Sequence, residues 1–238
     1  MVAGCGRPRC RTGCARRCAA GWWPMPADRT LADRYLGGRW TPAFDAIAVE
    51  APGVLEAYLR LAAVPWRGRE LPVALKELIC VALSAAPGHL YPAGVRMHVA
   101  GALRAGAPRA HVMHAAAVAG SVGIRAATLA LPILADLAGP AADGEVGLPP
   151  VDAALASAHT EVVDAGGAAG LPAVDRELIA VAVAAAVTLA DADVVREHIR
   201  AALDLGATRG QVAEAVALAC GIGLHGCLLV ADELAAAP

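Results

Sequence analysis

Two stretches decide the fold: RMHVAGALRAGAPR, Arg96–Arg109, and REHIRAALDLGATR, Arg196–Arg209. They lie 100 positions apart, and at that offset the flanking sequence aligns without a gap. LPVALKELICVALSAA, from Leu71, falls on LPAVDRELIAVAVAAA, from Leu171. Glu77 falls on Glu177, His98 on His198, Gly123 on Gly223 and Leu134 on Leu234. Between Leu71 and Ala138, 25 of 68 positions are identical to their partners, so the chain is a duplication that has since diverged.

Each unit has a helical pattern. KELICVALSAA is apolar all round, as a helix packed on every side would be. In VRMHVAGALRAG the residues Val95, Val99, Ala102 and Leu103 recur at helical spacing, and Gly106 stands where a helix ends in a left-handed residue. Pro108 suits the start of the next helix, and Thr208 is an expected N-cap in the second unit. An amphipathic helix precedes each unit: PGVLEAYLRLAAV in the first, VDAALASAHTEVV in the second. Each unit therefore reads as helix, short loop, helix, glycine turn, helix.

Composition agrees with an all-α fold. The chain of 238 residues is 58% hydrophobic but only 3% aromatic, and alanine and leucine, the best helix formers, fill the difference. The formal net charge of -2 implies no global polyanion-binding surface, so no nucleic-acid partner is expected. The apolar run LIAVAVAAAVTLA is too short to span a bilayer, and no membrane partner is expected.

Four of the seven cysteines (Cys5, Cys10, Cys14 and Cys18) crowd the first eighteen residues among arginines. They lack the paired C-x-x-C of a zinc site, and residues 1–24 read as a disordered extension ahead of Met25. Cys80, Cys220 and Cys227 lie in apolar helical contexts and read as reduced core residues of a cytoplasmic protein. AGPAADGEVGLPP, residues 138–150, is rich in glycine and proline and reads as a linker. It divides an N-terminal unit, 25–137 with its core at 71–137, from a C-terminal unit, 151–238 with its core at 171–235.

Taken together, Glu77-Leu-Ile, Arg96-x-His98 and ALRAGAPR, repeated at Glu177, Arg196-x-His198 and ALDLGATR, resemble the carboxymuconolactone decarboxylase / alkylhydroperoxidase D family. The resemblance implies an all-helical fold of two tandem units related by a pseudo-twofold. It also implies a homo-oligomer, three chains forming a pseudo-hexamer. The peroxidase branch carries C-x-x-C just before the histidine. Here those positions hold Tyr91 and Gly94, and Asp191 and Val194, so disulfide chemistry is disfavoured. GHLYPAGVRMH further resembles a two-domain subgroup with a His-Leu-Tyr-x-x-Gly loop, and GIGLHGC places His225 where the first unit has Arg125.

Decarboxylation of the kind this resemblance implies leaves an enolate-like carbanion. The enzyme must hold the substrate's carboxylates, stabilise the oxyanion and return a proton. His98 is the expected general acid/base, with Glu77 orienting it and Tyr91 donating to the oxyanion. Arg96 is expected to bind a substrate carboxylate, and His89 to line the pocket mouth. His198, Glu177 and Arg196 form a second site or its relic, and His225 reaches a pocket between units. Both arginines and both glutamates have an alternative role in a structural ion network. His111, His114 and His159 lack a histidine at the equivalent position and are expected at the surface or at helix ends. Neither a metal nor an organic cofactor is expected, since no HExxH or phosphate-binding glycine loop occurs.

The favoured function is a cofactor-independent lyase acting on a small carboxylated or enolisable substrate. A cyclase, isomerase or lactone hydrolase of secondary metabolism is the alternative on the same pocket, followed by a non-catalytic helical assembly protein.

Overall fold

The computed structural model describes residues 40–138 and 151–236. The Cys/Arg-rich extension and nearly all of the linker lie outside them. The described residues are all helical, with no strand among them.

The helices are α1 (Pro42–Glu50), α2 (Pro52–Arg67), α3 (Val73–Ala85), α4 (Pro92–Arg104), α5 (Arg109–Gly120), α6 (Arg125–Ala138), α7 (Val151–Asp164), α8 (Ala173–Ala185), α9 (Ala192–Asp204), α10 (Arg209–Cys220) and α11 (His225–Ala236). Single 3₁₀ turns at Ser121–Ile124 and Gly221–Leu224 join α5 to α6 and α10 to α11. From α3 to α5 and from α8 to α10 the boundaries repeat at the offset of 100 found in the sequence.

The repeat extends to backbone conformation. Gly106 and Gly206 have φ of +88° and +94°, closing α4 and α9 in the left-handed region that glycine enters without steric cost. The N–H of Ala107 reaches the Ala102 carbonyl, and that of Ala207 the Ala202 carbonyl, each at 2.9 Å. Leu90 and Ala190 are left-handed as well, at +40° and +43°, although neither is glycine. Each stands immediately before the residue that opens α4 or α9, so the same costly turn aims the same loop in both halves. Thr208 caps α10 as expected, and Gln211 completes a reciprocal capping box.

Two compact units are present. Of the described residues, 40–59 and 227–236 belong to the smaller, where Phe44 packs edge-on against Trp40 and Tyr58. The larger, Arg60–Gly226, contains most of both repeats, and they share one core. Helices α3 and α8 are the centre of that core. Leu75 to Ser84 are all buried along α3, and Leu178, Ile179 and Val181 to Ala184 along α8. The periodicity-free apolar pattern of KELICVALSAA thus marks a helix covered on every side.

Reciprocal bonds join the repeats across this core. His114, on α5, accepts the N–H of Leu171 at 2.9 Å. Its repeat partner Glu214, on α10, accepts the N–H of Leu71 at 2.7 Å. The expectation of a surface position for His114 is therefore corrected. It is buried, and its Nε2 also bonds to the Val163 carbonyl, because the orphan N–H at the start of α8 needs an acceptor. His159 likewise bonds to the Ser121 carbonyl, at 2.6 Å. Glu214 forms a buried ion pair with Lys76, whose Nζ also donates to the carbonyls of Pro65 and Gly68 at 2.8 Å each. Two carbonyl acceptors and the Glu214 charge together compensate the burial of a lysine that is only 1% exposed.

Cys80 is buried but Cys220 is exposed, so the core expectation for Cys220 is corrected. It follows Ala219 at the solvent side of the α10 end, where the first repeat has the equally exposed Gly120. The helical runs Arg109–Leu137 and Arg209–Ala236 are long and apolar enough to cross a membrane by length and composition alone. Their inner faces, including Val112, Ala115, Val118, Val212, Ala215 and Leu218, belong to the shared core.

Candidate active site

The central helix α3 carries Glu77 fully buried, and α4 carries His98 only 7% exposed. The Nδ1 of His98 lies 2.8 Å from Glu77 Oε2. With the carboxylate ionised, Nδ1 carries the proton and donates, leaving Nε2 as the nitrogen that faces chemistry. A bare carboxylate in an apolar core costs several kcal/mol, and this bond is one that offsets it. Gly101 leaves room for the Glu77 carboxylate where it sits: a methyl group there would overlap it. Trp66, at the end of α2, lies parallel to the His98 ring, with centroids 6.5 Å apart and planes at 5°.

Three more side chains cluster near this dyad, close enough for His98 to act electrostatically on His225. Tyr91 stands at the N-cap of α4, where Pro92 follows and removes one N–H that would need a cap. A side chain at Gly94 would come within 2.6 Å of the Tyr91 ring, so the missing Cβ makes room for the tyrosine. His89 sits in the preceding loop, and its Nε2 lies 2.7 Å from Nδ1 of His225 at the start of α11. Tyr91 lies against both, its ring 4.7 Å from that of His225 and 5.9 Å from that of His89. His225 comes from the second repeat, 136 residues from its partner, and completes a cluster whose other members belong to the first.

Burial holds His225 neutral. Its pKa is lowered to about 4, chiefly by desolvation, then by the neighbouring His89 and His98. His89 is lowered too, by desolvation. At neutral pH both rings are therefore uncharged, able to accept or donate a proton.

The second repeat carries the related constellation. His198 Nδ1 lies 2.8 Å from Glu177 Oε2, reproducing the first dyad, yet the side chains are 35% and 25% exposed. Where the first site pairs Tyr91 with His225, the second pairs their equivalents Asp191 and Arg125, with Arg125 Nη2 donating at 2.7 Å. Asp191 also caps α9, accepting from the N–H groups of Asp193 and Val194. The Val194 bond first, then those from Asp193 and the Arg125 charge, hold its carboxyl below the usual range. Leu189 stands in place of His89, and Gly166 in place of Trp66.

The arginines stand elsewhere. Arg96 is exposed on α4, two residues from His98 and so on another face of the helix. Arg196 is exposed and paired with Asp193 along α9. The buried ionic network of the larger unit is built instead from Lys76 and Glu214, and Glu77 engages His98. Sequence reading missed Trp66, Lys76, Glu214 and the Arg125–Asp191 pair. For the last, the signal was present: at the repeat offset, Arg125 and Asp191 occupy the positions of His225 and Tyr91.

Among the described residues, no group of three histidine, cysteine or acidic side chains is placed to hold a metal ion.

Comparison with known proteins places this geometry. No curated protein sequence matches the chain. A solved structure from Burkholderia xenovorans LB400, provisionally named as a gamma-carboxymuconolactone decarboxylase subunit, superposes with a TM-score of 0.76 at 26% identity, covering 90% of this chain and 97% of that one. The family model for the carboxymuconolactone decarboxylase family matches residues 52–136 and again 149–224, one match to each repeat. A fold duplicated at an offset of 100 residues, with a family match in each half, leads to one assignment: the chain belongs to the carboxymuconolactone decarboxylase family.

Proposed function

We propose that the chain is a lyase that removes carbon dioxide from a small carboxylated, enolisable substrate by acid/base chemistry, without a metal or organic cofactor. The observation that carries this reading is the buried Glu77–His98 dyad, joined by Tyr91, His89 and His225. Loss of carbon dioxide breaks a carbon–carbon bond and leaves its electron pair delocalised onto a neighbouring carbonyl. The developing oxyanion needs donors already in place, and the Tyr91 hydroxyl and an imidazole N–H can serve. For this step His98 must hold hydrogens on both ring nitrogens: the carbanion carbon takes the one on Nε2, and Glu77, still bonded to Nδ1–H, holds the neutral imidazole left behind in one tautomer.

Arg96 lies outside this cluster, so substrate carboxylates fall to the neutral imidazoles and the tyrosine in this reading. The same geometry would serve an isomerase that moves a proton beside a carbonyl, and deuterium uptake from solvent without loss of carbon dioxide would identify that reaction.

The test is the ultraviolet decay of 4-carboxymuconolactone with wild type and His98→Ala. The lyase reading expects rapid decay with wild type and a loss of about 10²- to 10⁴-fold in the variant, the range for a positioned acid/base group. Wild-type inertness on this lactone would contradict it.

A further inference from the structure

The two histidines at the pocket edge form an arrangement that binding alone does not require. His89 Nε2 and His225 Nδ1 approach to 2.7 Å, with ring centroids 5.0 Å apart. Two neutral imidazoles at that distance hold one hydrogen between them: one nitrogen donates and the other accepts. The outer nitrogens, Nδ1 of His89 and Nε2 of His225, must then differ. When His225 donates inward through Nδ1, its outer nitrogen is bare and that of His89 bears a hydrogen. When His89 donates inward through Nε2, the pattern reverses.

We infer that the His89–His225 pair is a proton relay between solvent and the pocket that His98 occupies. The inference rests on the acid/base reading of that pocket. His89 lies in a loop between the exposed Gly88 and Leu90, whereas His225 is set against Tyr91. The titratable side chains near His225 are His89, Tyr91 and His98, with Glu77 behind His98.

The proton count closes. Decarboxylation consumes one proton for each carbon dioxide released, and this proton must come from water. His225 gives the hydrogen on Nε2 to the pocket, where it replaces the proton lost from His98. The shared hydrogen moves from His89 Nε2 to His225 Nδ1, and His89 Nδ1 takes a proton from solvent. Both rings end neutral, each in its other tautomer, and proton exchange with water between turnovers restores the starting pattern. The second repeat lacks the pair, because Leu189 and Arg125 occupy the two positions.

The test has two arms on the full chain. In the first, histidine ring nitrogens are followed by ¹⁵N NMR across pH, in wild type, His89→Gln and His225→Gln. The relay expects His225 to stay neutral well below pH 6 and its titration to move towards the ordinary value in His89→Gln. Rings that titrate independently would overturn the pair.

In the second arm, 4-carboxymuconolactone turnover is measured with the same variants. The expected result is a fall of at least tenfold in kcat, KM within about twofold, and partial rescue by added imidazole. An unchanged kcat, or an effect confined to KM, would overturn the relay and leave the histidines as binding groups. If wild type does not turn over the lactone, the functional reading fails, and the NMR arm decides the pair alone.

Discussion

The first and second repeats share a scaffold and an acid/base dyad but surround the dyad differently. In the first, Glu77 and His98 are buried with the Trp66 ring parallel to that of His98, and Tyr91, His89 and His225 form a cluster of their own nearby. In the second, Glu177 and His198 keep the same 2.8 Å bond, but Gly166, Asp191, Leu189 and Arg125 stand around them, and both remain partly exposed. An exposed ion pair works in a high dielectric and contributes little, whereas a buried dyad works in a medium where hydrogen bonds and charge count for more. A few substitutions around an unchanged pair therefore separate an isolated acid/base site from a wet one. Gly101 against Ala201 shows the economy of the change. The glycine lets the helix close over the Glu77 carboxylate, and the alanine supplies the methyl group that would obstruct it.

The comparison can be broken by mutating equivalent positions in pairs. The largest effect on stability is expected at Lys76 and its repeat partner Arg176. Lys76→Met leaves the buried Glu214 carboxylate without its cation and should cost about 3–5 kcal/mol in urea unfolding. Arg176→Met removes a 3.4 Å pair with the mostly exposed Asp164 and should cost within about 1 kcal/mol. Equal costs would show that the two halves do not differ in burial as described.

A second difference concerns pH. The His225 pKa is lowered in the fold to about 4 from an ordinary 6.5, so between those values the unfolded chain binds a proton that the folded chain refuses. The His225 contribution is therefore fully present above pH 6.5 and is lost as pH falls towards 4, by up to about 3 kcal/mol. The equivalent position in the second-site arrangement holds Arg125, not a histidine. Unfolding free energies for wild type and His225→Gln should diverge as pH rises from 4 to 6.5, and parallel curves would count against the burial of His225.

The smallest effect is at the glycine. Gly101→Ala should destabilise by about 1–3 kcal/mol through overpacking against the Glu77 carboxylate. Ala201→Gly should cost about 1 kcal/mol, the ordinary helix penalty. Thermal melts of both variants, with turnover of the first, would sharpen the contrast.

Much of the fold was legible because a duplication displays its own geometry. The offset of 100 residues located α3 to α5 and α8 to α10, Gly106 marked a helix end, and Thr208 a start. The dyads were legible for the same reason: a glutamate and a histidine kept at a spacing of 21 residues in both halves point to one contact. The contacts between halves were hidden. Glu214 reaches Leu71 across 143 residues and His225 reaches His89 across 136, and aligning the repeats reveals equivalence rather than proximity. His114 was misplaced because its repeat partner is glutamate. The two residues do the same work, each accepting an N–H at the head of the other half's central helix, and imidazole and carboxylate look unrelated in sequence. The separation of Arg96 from His98 was readable, since residues two apart on a helix do not face each other.

The most direct test of the account is to compare kcat/KM for His98→Ala and His198→Ala on 4-carboxymuconolactone, with thermal melts to establish folding. The account predicts a loss of at least 10²-fold for His98→Ala and less than about threefold for His198→Ala, both variants remaining folded. Equal losses, or a larger loss at His198, would contradict the assignment of chemistry to the buried first site.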